Sequence, residues 1–198
     1  MLLKMPNLRR IGLFGGTFDP VHNGHLLIAF NAFEFLELDR IFFIPARISP
    51  FKLTAPITPP EKRVCLLRLA LTGLSMCEID LQEIKREGPS YTVDTVKSYR
   101  ERYPDAELFY LIGSDHLSQL NKWKNSYELA RLVTFAVAIR PGVPLIKEIE
   151  PYRLIFMPNI EIGISASEIR NRIKTGLPIR HLIPWMVEER IKAENLYI

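Results

Sequence analysis

The sequence predicts an α/β fold, a doubly wound parallel sheet with a small helical C-terminal portion. Short apolar runs alternate with helical patterns through most of the 198 residues, which is the order of βα units whose strands are covered on both faces by crossover helices. Composition agrees. With 47% hydrophobic and 24% charged residues and a net charge of +4, the chain is too apolar and too weakly charged for disorder. At this length it can bury a core without disulfide or metal staples. A single domain over residues 1–198 is expected.

The expected strands are Ile11–Phe14, Arg40–Ile44, Cys77–Asp80, Glu107–Ile112, Thr134–Ile139 and Leu154–Met157. Helical patterns occupy about 24–37, 60–72, 91–102 and 126–131, and two more at about 166–175 and 183–194 close the chain. From Leu26 to Leu38 the first helix is apolar almost all round except at Asn31, Glu34 and Glu37, which predicts deep packing against the sheet. In the last helix Ile183, Val187 and Ile191 recur every four residues opposite Glu188, Glu189 and Lys192, so one face is buried. Pro45 to Pro60 carries five prolines and no period. It is too long for an ordinary connection, and such loops are mobile or functional.

Several classes are disfavoured. Cys65 and Cys77 stand alone, without a second CxxC or a His-rich partner run, and read as buried thiols of a reduced, cytoplasmic protein. The N-terminal residues lack a signal-peptide pattern, and no apolar window approaches the ~20 residues that cross a bilayer. Lys and Arg are scattered rather than clustered, which argues against nucleic acid and for a small anionic substrate.

The richest segment is Gly15-Gly16-Thr17-Phe18-Asp19-Pro20-Val21-His22-Asn23-Gly24-His25, which leaves the first strand and enters the first helix. Glycines at the carboxyl end of a parallel strand let a ligand approach the backbone, and the helix that follows offers free N–H groups and a partial positive charge. That suits phosphate. Neither GxGxxG nor GxxxxGK[ST] fits, so a hydride-transfer dinucleotide domain and a P-loop ATPase are disfavoured. A Gly-Gly turn alone is commonplace, as is His-x-x-His; together they put two imidazoles on one helix turn facing the glycines.

Three further segments could carry chemistry. Ser165 followed by Glu168 is a capping box opening a helix, with Arg170 in its first turns; free N–H groups and a guanidinium fork both bind phosphate oxygens. Pro89 to Thr95 reads as a proline-led turn and a Ser or Thr cap. Gly113, Ser114 and Asp115 follow an apolar strand and belong at the same sheet edge as the first motif. Trp123, between Lys122 and Lys124, cannot be wholly buried and can stack on a flat ring.

Gly15 to His25 resembles the signature of the HxGH nucleotidyltransferases, and within that superfamily GGTFDPVHxGH looks like the nicotinate mononucleotide adenylyltransferases. Ile164 to Arg170 is similar to that family's ISxTxIR, with Ser167 in place of threonine; Ser90 to Thr95 to its SYTxDT; and Gly113 to Trp123 to its GxDxLxxLxxW. Ser49 to Lys52 departs from the family pattern, because Phe51 stands where Pro-His-Lys has histidine. The resemblance implies a Rossmann-like nucleotidyltransferase fold. It also implies adenylyl transfer from ATP to nicotinate mononucleotide, giving deamido-NAD and pyrophosphate, with Mg²⁺ arriving on ATP and no dedicated metal ligands. Catalytic roles are implied for His22, His25 and Arg170. ATP contacts are implied for Gly15, Gly16, Thr17, Phe18, Gly24, Gly113, Asp115, Ile164, Ser165, Ser167 and Arg170. Mononucleotide contacts are implied for Lys52, Tyr91, Thr92 and Trp123. The competing readings are the amide substrate nicotinamide mononucleotide, phosphopantetheine, or a silent nucleotide-binding regulator; a homo-oligomer is left open.

Overall fold

A computed structural model describes residues 8–50, 56–144, 146–158 and 163–198. Its strands are β1 (Arg10–Gly16), β2 (Arg40–Pro45), β3 (Cys77–Ile79), β4 (Glu107–Gly113), β5 (Thr134–Ala138) and β6 (Leu154–Phe156). Every neighbouring pair is parallel, in the order β3-β2-β1-β4-β5-β6. The helices are α1 (Asn23–Phe35), α2 (Pro60–Ala70), α3 (Gln82–Lys85), α4 (Thr92–Arg102), α5 (Ser126–Leu132), α6 (Ala166–Lys174) and α7 (Trp185–Ala193). A 3₁₀ helix covers Ser114–Lys122. Among the described residues no helix is long and apolar enough to cross a membrane.

Strand alternation divides the core. Ile11, Leu13, Phe42 and Ile44 point to one side and pack on α4, α5 and the 3₁₀ helix through Val96, Tyr99, Leu129 and Leu120. Phe14, Ile41 and Phe43 point to the other and pack on α1, α2, α6 and α7 through Ile28, Leu67, Ile169 and Val187. Both faces are covered, which is why the strands read as continuous apolar runs.

Two elements had no sequence signal. The four residues of α3 are too few to show a period; they start where the Asp80 carboxylate accepts the Gln82 N–H at 2.9 Å. The 3₁₀ helix buries Leu117 and Leu120 at a spacing of three, where the eye searches for 3.6. Helix α1 corrects an expectation. It buries Gly24, Ile28, Ala29 and Ala32, but Leu27, Phe30 and Phe35 remain exposed. A helix lying on one sheet can bury only one stripe, however apolar its other sides. The expected buried face of α7 is seen in part: Val187 and Ile191 are buried, as is Ile183 just before the helix, but Glu188, expected opposite them, is buried too and pairs with Lys192 one turn on at 2.7 Å.

The sheet opens at its centre. β1 pairs with β2 as far as Gly16 opposite Pro45, and β4 pairs with β5 as far as Gly113 opposite Ala138. Between β1 and β4 the pairing stops earlier, at Leu13 opposite Tyr110. The last residues of both central strands therefore border a crevice, at the point where chain order along the sheet reverses.

Behind that crevice lies Arg63 on α2, wholly buried. It donates to the carbonyls of Thr17 at 2.5 Å, Ala46 at 2.8 Å and Thr58 at 3.2 Å. Arg63→Leu leaves three carbonyls without this donor in a dry site. It should lower the unfolding free energy by about 3 kcal/mol or more, read from urea denaturation; an unchanged midpoint would show that the three bonds contribute nothing net.

Candidate active site

The turn from β1 to α1 is shaped by what surrounds its glycines. A Cβ on Gly15 would overlap the Tyr110 hydroxyl, so only glycine lets β1 and β4 approach there. Phe18 has a left-handed backbone at φ 49°, a rare state for a bulky residue, and its buried ring packs on Phe14, Phe43 and His25. The strained residue anchors the turn in the core and leaves the backbone of Gly15 to Thr17 on the crevice wall.

His22 is the N-cap residue of α1, and His25 lies one turn into it. Their rings stack with centroids 3.6 Å apart, and the His22 N–H donates to His25 Nδ1 at 3.1 Å. That bond fixes the tautomer: Nδ1 accepts, so the proton of the neutral ring sits on Nε2. Burial pushes the His22 pKa down from 6.5 to about 3, with the Arg140 charge adding to the effect. His25 is held well below 6.5 by burial, then by His22 and Arg140. Both rings are neutral N–H donors at pH 7. They line the crevice, whereas Gly24 between them is buried inside the first turn of α1 and is not among the wall residues.

Opposite stands the start of α6. Ser165 is its N-cap and its Oγ accepts the Glu168 N–H at 3.1 Å, as the capping pattern predicts. Ile164, Ser165 and Ser167 line the same crevice. Arg170 reaches back across it, donating to the Asp19 carbonyl at 2.6 Å and to Ser167 Oγ at 3.1 Å. Arg170 and Gly16, far apart in sequence, thus border one crevice.

At the end of β4, Gly113 lies against Asp115 and Arg140, and a Cβ there would strike the Asp115 carboxylate. Arg140 Nε pairs with Asp115 at 3.0 Å, and the Arg140 N–H donates to Ser114 Oγ at 3.0 Å. Arg140 follows β5 and lines the crevice. Sequence reasoning passed over it, although its place at a strand's carboxyl end was a usable signal.

The other end of the crevice is aromatic and polar. Thr92, first residue of α4, donates to the Tyr110 hydroxyl at 3.4 Å. The expected Ser or Thr cap is absent: Tyr91 is the N-cap residue and makes no side-chain cap, while Ser90 Oγ accepts the Arg47 N–H at 2.9 Å and ties the exit of β2 to the entry of α4. Trp123 is half-buried and stands edge-on to Tyr110, Phe135 and His116, at 5.9, 6.1 and 6.3 Å between centroids. Lys124 lies 4.2 Å over the Tyr91 ring and 3.3 Å from Asp94. Glu83, also missed from sequence because α3 was, is largely buried and borders this end of the crevice. It accepts from Thr95 at 2.6 Å, and burial raises its pKa despite that bond.

The crevice has a volume of about 880 Å³ and is walled by every predicted site residue among those described except Gly24. Lys52 and Phe51 lie outside the described residues, though Ser49, Pro50, Pro56 and Ile57 on either side of them border the crevice. No group of three His, Cys, Asp or Glu that could hold a metal ion occurs among the described residues.

A crevice at the switch point of a parallel sheet, walled by two helix starts, neutral imidazoles and arginines, is an α/β enzyme site suited to an anionic substrate. The chain belongs to the cytidylyltransferase-like family, whose model matches residues 13–172. Its relatives there are nicotinate-nucleotide adenylyltransferases. It is 40% identical to the Bacillus subtilis enzyme of that name, over 96% of this chain and 99% of that one. It is 42% identical to a probable one from Bacillus licheniformis, with the same coverage. The fold is shared with nicotinic acid mononucleotide adenylyltransferase of Plasmodium falciparum, solved with NaAD, at a TM-score of 0.79 and 21% identity over 96% of this chain and 97% of that one.

The histidines carry a pH signature. Unfolded, each titrates near 6.5; folded, His22 titrates at about 3 and His25 also well below 6.5. Between those limits the unfolded chain binds more protons, so stability is full above pH 6.5 and falls as pH drops below it. His22→Asn should remove about one proton from the slope of unfolding free energy against pH between 4 and 6. Superimposable slopes would mean that His22 is not buried neutral.

Proposed function

We propose that the protein transfers the adenylyl group of ATP to nicotinate mononucleotide, giving deamido-NAD and pyrophosphate in NAD biosynthesis. The observation that carries this reading is the single crevice shared by the Gly15–His25 turn, the α6 start with Arg170, and the Thr92–Trp123 end. A 5′-phosphate oxygen of the mononucleotide attacks the α-phosphorus of ATP in line. The new P–O bond forms as the bond from that phosphorus to the bridging oxygen breaks, and pyrophosphate leaves with the electron pair.

No enzyme nucleophile is required, so positioning and charge stabilisation supply the rate. His25 donates its Nε2–H, and His22 a ring N–H, to phosphoryl oxygens around the reacting phosphorus. Being neutral before ATP arrives, they are not paired away by carboxylates and need no counter-ion in the dry crevice. Arg170 and the backbone of Ser165 to Ser167 take the β- and γ-phosphates, using guanidinium N–H groups beyond those on Asp19 and Ser167. Arg140 adds fixed positive charge beside both imidazoles. Asp115 at the end of β4 is placed for a ribose hydroxyl.

At the other end Trp123 offers an aromatic face to the pyridine ring, and the α4 start meets its substituent. A carboxylate there is favoured by the helix dipole and by the backbone N–H of Thr92, which supports the acid over the amide. Mg²⁺ accompanying ATP would screen the polyphosphate charge. The residues present fit that role, since among the described residues no group of three His, Cys, Asp or Glu competes with phosphate and water for the ion, and the Asp115 carboxylate on the crevice wall is paired with Arg140. A cytoplasmic setting accords with these substrates.

The deciding experiment is pyrophosphate release from ATP with each of three acceptors: nicotinate mononucleotide, nicotinamide mononucleotide and phosphopantetheine. The acid should give the highest kcat/KM; a higher value for either other acceptor, or ATP binding without turnover, overturns the reading. His25→Ala should lower kcat by about 10²–10³, the loss typical of a donor to developing phosphoryl or oxyanion charge, and a steady-state rate within threefold of wild type contradicts the role. Trp123→Ala should raise KM for the mononucleotide more than for ATP, because it deletes a stacking face and no phosphate contact; an equal rise for both substrates counts against it.

A further inference from the structure

Asp19 sits in the middle of the glycine–histidine turn and is almost wholly buried. A buried carboxylate persists only where donors surround it. The donors to Asp19 come from three distant parts of the chain. Its Oδ2 accepts the N–H groups of Ile57 at 3.0 Å and Thr58 at 3.4 Å, where the proline-rich loop returns toward α2. Its Oδ1 accepts the hydroxyl of Tyr197, beyond α7, at 2.7 Å. Its backbone carbonyl takes Arg170, the cation placed on the β- and γ-phosphates.

Tyr197 is more than a space-filler. Its ring is buried in the same core as Phe18 and Ile169. Its backbone is held at φ 68°, a left-handed state costly for a bulky side chain and retained where the surroundings compensate. Burial raises the pKa of the phenol, so it stays protonated and a donor to the carboxylate at neutral pH. Through the Asp19 carboxylate this hydroxyl thus joins the phosphate turn, the returning loop and the segment after α7.

We propose that Tyr197 is a positioning residue for the reaction: by holding Asp19 it sets where the Gly15–His22 turn and Arg170 meet the polyphosphate of ATP. Tyr197 does not itself line the crevice, so it acts through Asp19 and not by touching substrate. The proposal rests on the reading of this crevice as the ATP site.

Tyr197→Phe keeps the ring and deletes only the bond. Hydrogen–deuterium exchange without ligand should show faster uptake in residues 15–22 and 56–58, with β4 (Glu107–Gly113) unchanged. In steady state, KM for ATP should rise about tenfold and kcat should fall, with KM for the mononucleotide within twofold of wild type. Wild-type exchange in the turn, or an unchanged ATP KM, overturns the proposal. So does a uniform rise in exchange with a lower Tm and intact kinetics, the mark of a merely structural residue. If Tyr197→Phe does not fold, Asp19→Asn, which keeps the size of the side chain and removes one acceptor oxygen from the same junction, takes its place and should move the same readings in the same direction. The two readings fail separately. A wild type that adenylylates no mononucleotide defeats the proposed function, whereas the exchange pattern and calorimetric ATP affinity still decide on Tyr197.

Discussion

The site depends on one interruption in hydrogen bonding. β1 and β4 are partners only up to Leu13 and Tyr110, while each keeps pairing with its outer neighbour for three residues more. The backbone groups released on the facing edges must find other partners, and ligand oxygens entering the crevice can be among them. Because all strands run the same way, every loop that leaves the carboxyl edge gathers there: the glycine–histidine turn after β1, Asp115 after β4, Arg140 after β5. The starts of α1 and α6 then meet across the gap, although Asn23 and Ala166 are 143 positions apart in the sequence.

The electrostatics of the crevice divide two tasks. Fixed positive charge comes from Arg140 and Arg170, each already oriented by an oxygen partner, Asp115 in one case and the Asp19 carbonyl in the other. Local hydrogen-bond donation comes from two stacked imidazoles kept uncharged by burial and by Arg140. Ionising them in the empty crevice would place like charges together in a poorly solvated space, which is unfavourable on both counts. An incoming anion changes that balance in their favour, so their donor strength grows when a phosphate is present to receive it.

Much of this was legible in the sequence, for identifiable reasons. Strands buried on both faces announce themselves as apolar runs, and all six were found to within two residues of their ends. The histidine pair was legible because a spacing of three on a helix is a geometric statement. Partners that depend on tertiary contact were not. Arg63 sits in the charged run Glu61-Lys62-Arg63 and looks solvated, yet it is wholly buried because three carbonyls converge on it. Tyr110 reads as one more apolar strand residue, and nothing local reveals that its hydroxyl abuts Gly15 and Thr92. Helix α1 misled in the opposite direction, since its uniform apolarity says nothing about how much of it a neighbour can cover.

The contact between Gly15 and Tyr110 constrains how this lineage can change. A side chain at position 15 is blocked by one oxygen atom, and with that atom gone the nearest ring carbon, Cζ, would lie 3.2 Å from a new Cβ, tight but accommodable by a small shift. Alanine at 15 is therefore a defect while tyrosine occupies 110 and close to tolerable once phenylalanine does. The two positions are epistatic, and only one order of substitution avoids a crippled intermediate. Because the same oxygen also receives Thr92, the permitted route begins by loosening the start of α4, so drift at position 15 is gated by how α4 sits on the other side of the crevice.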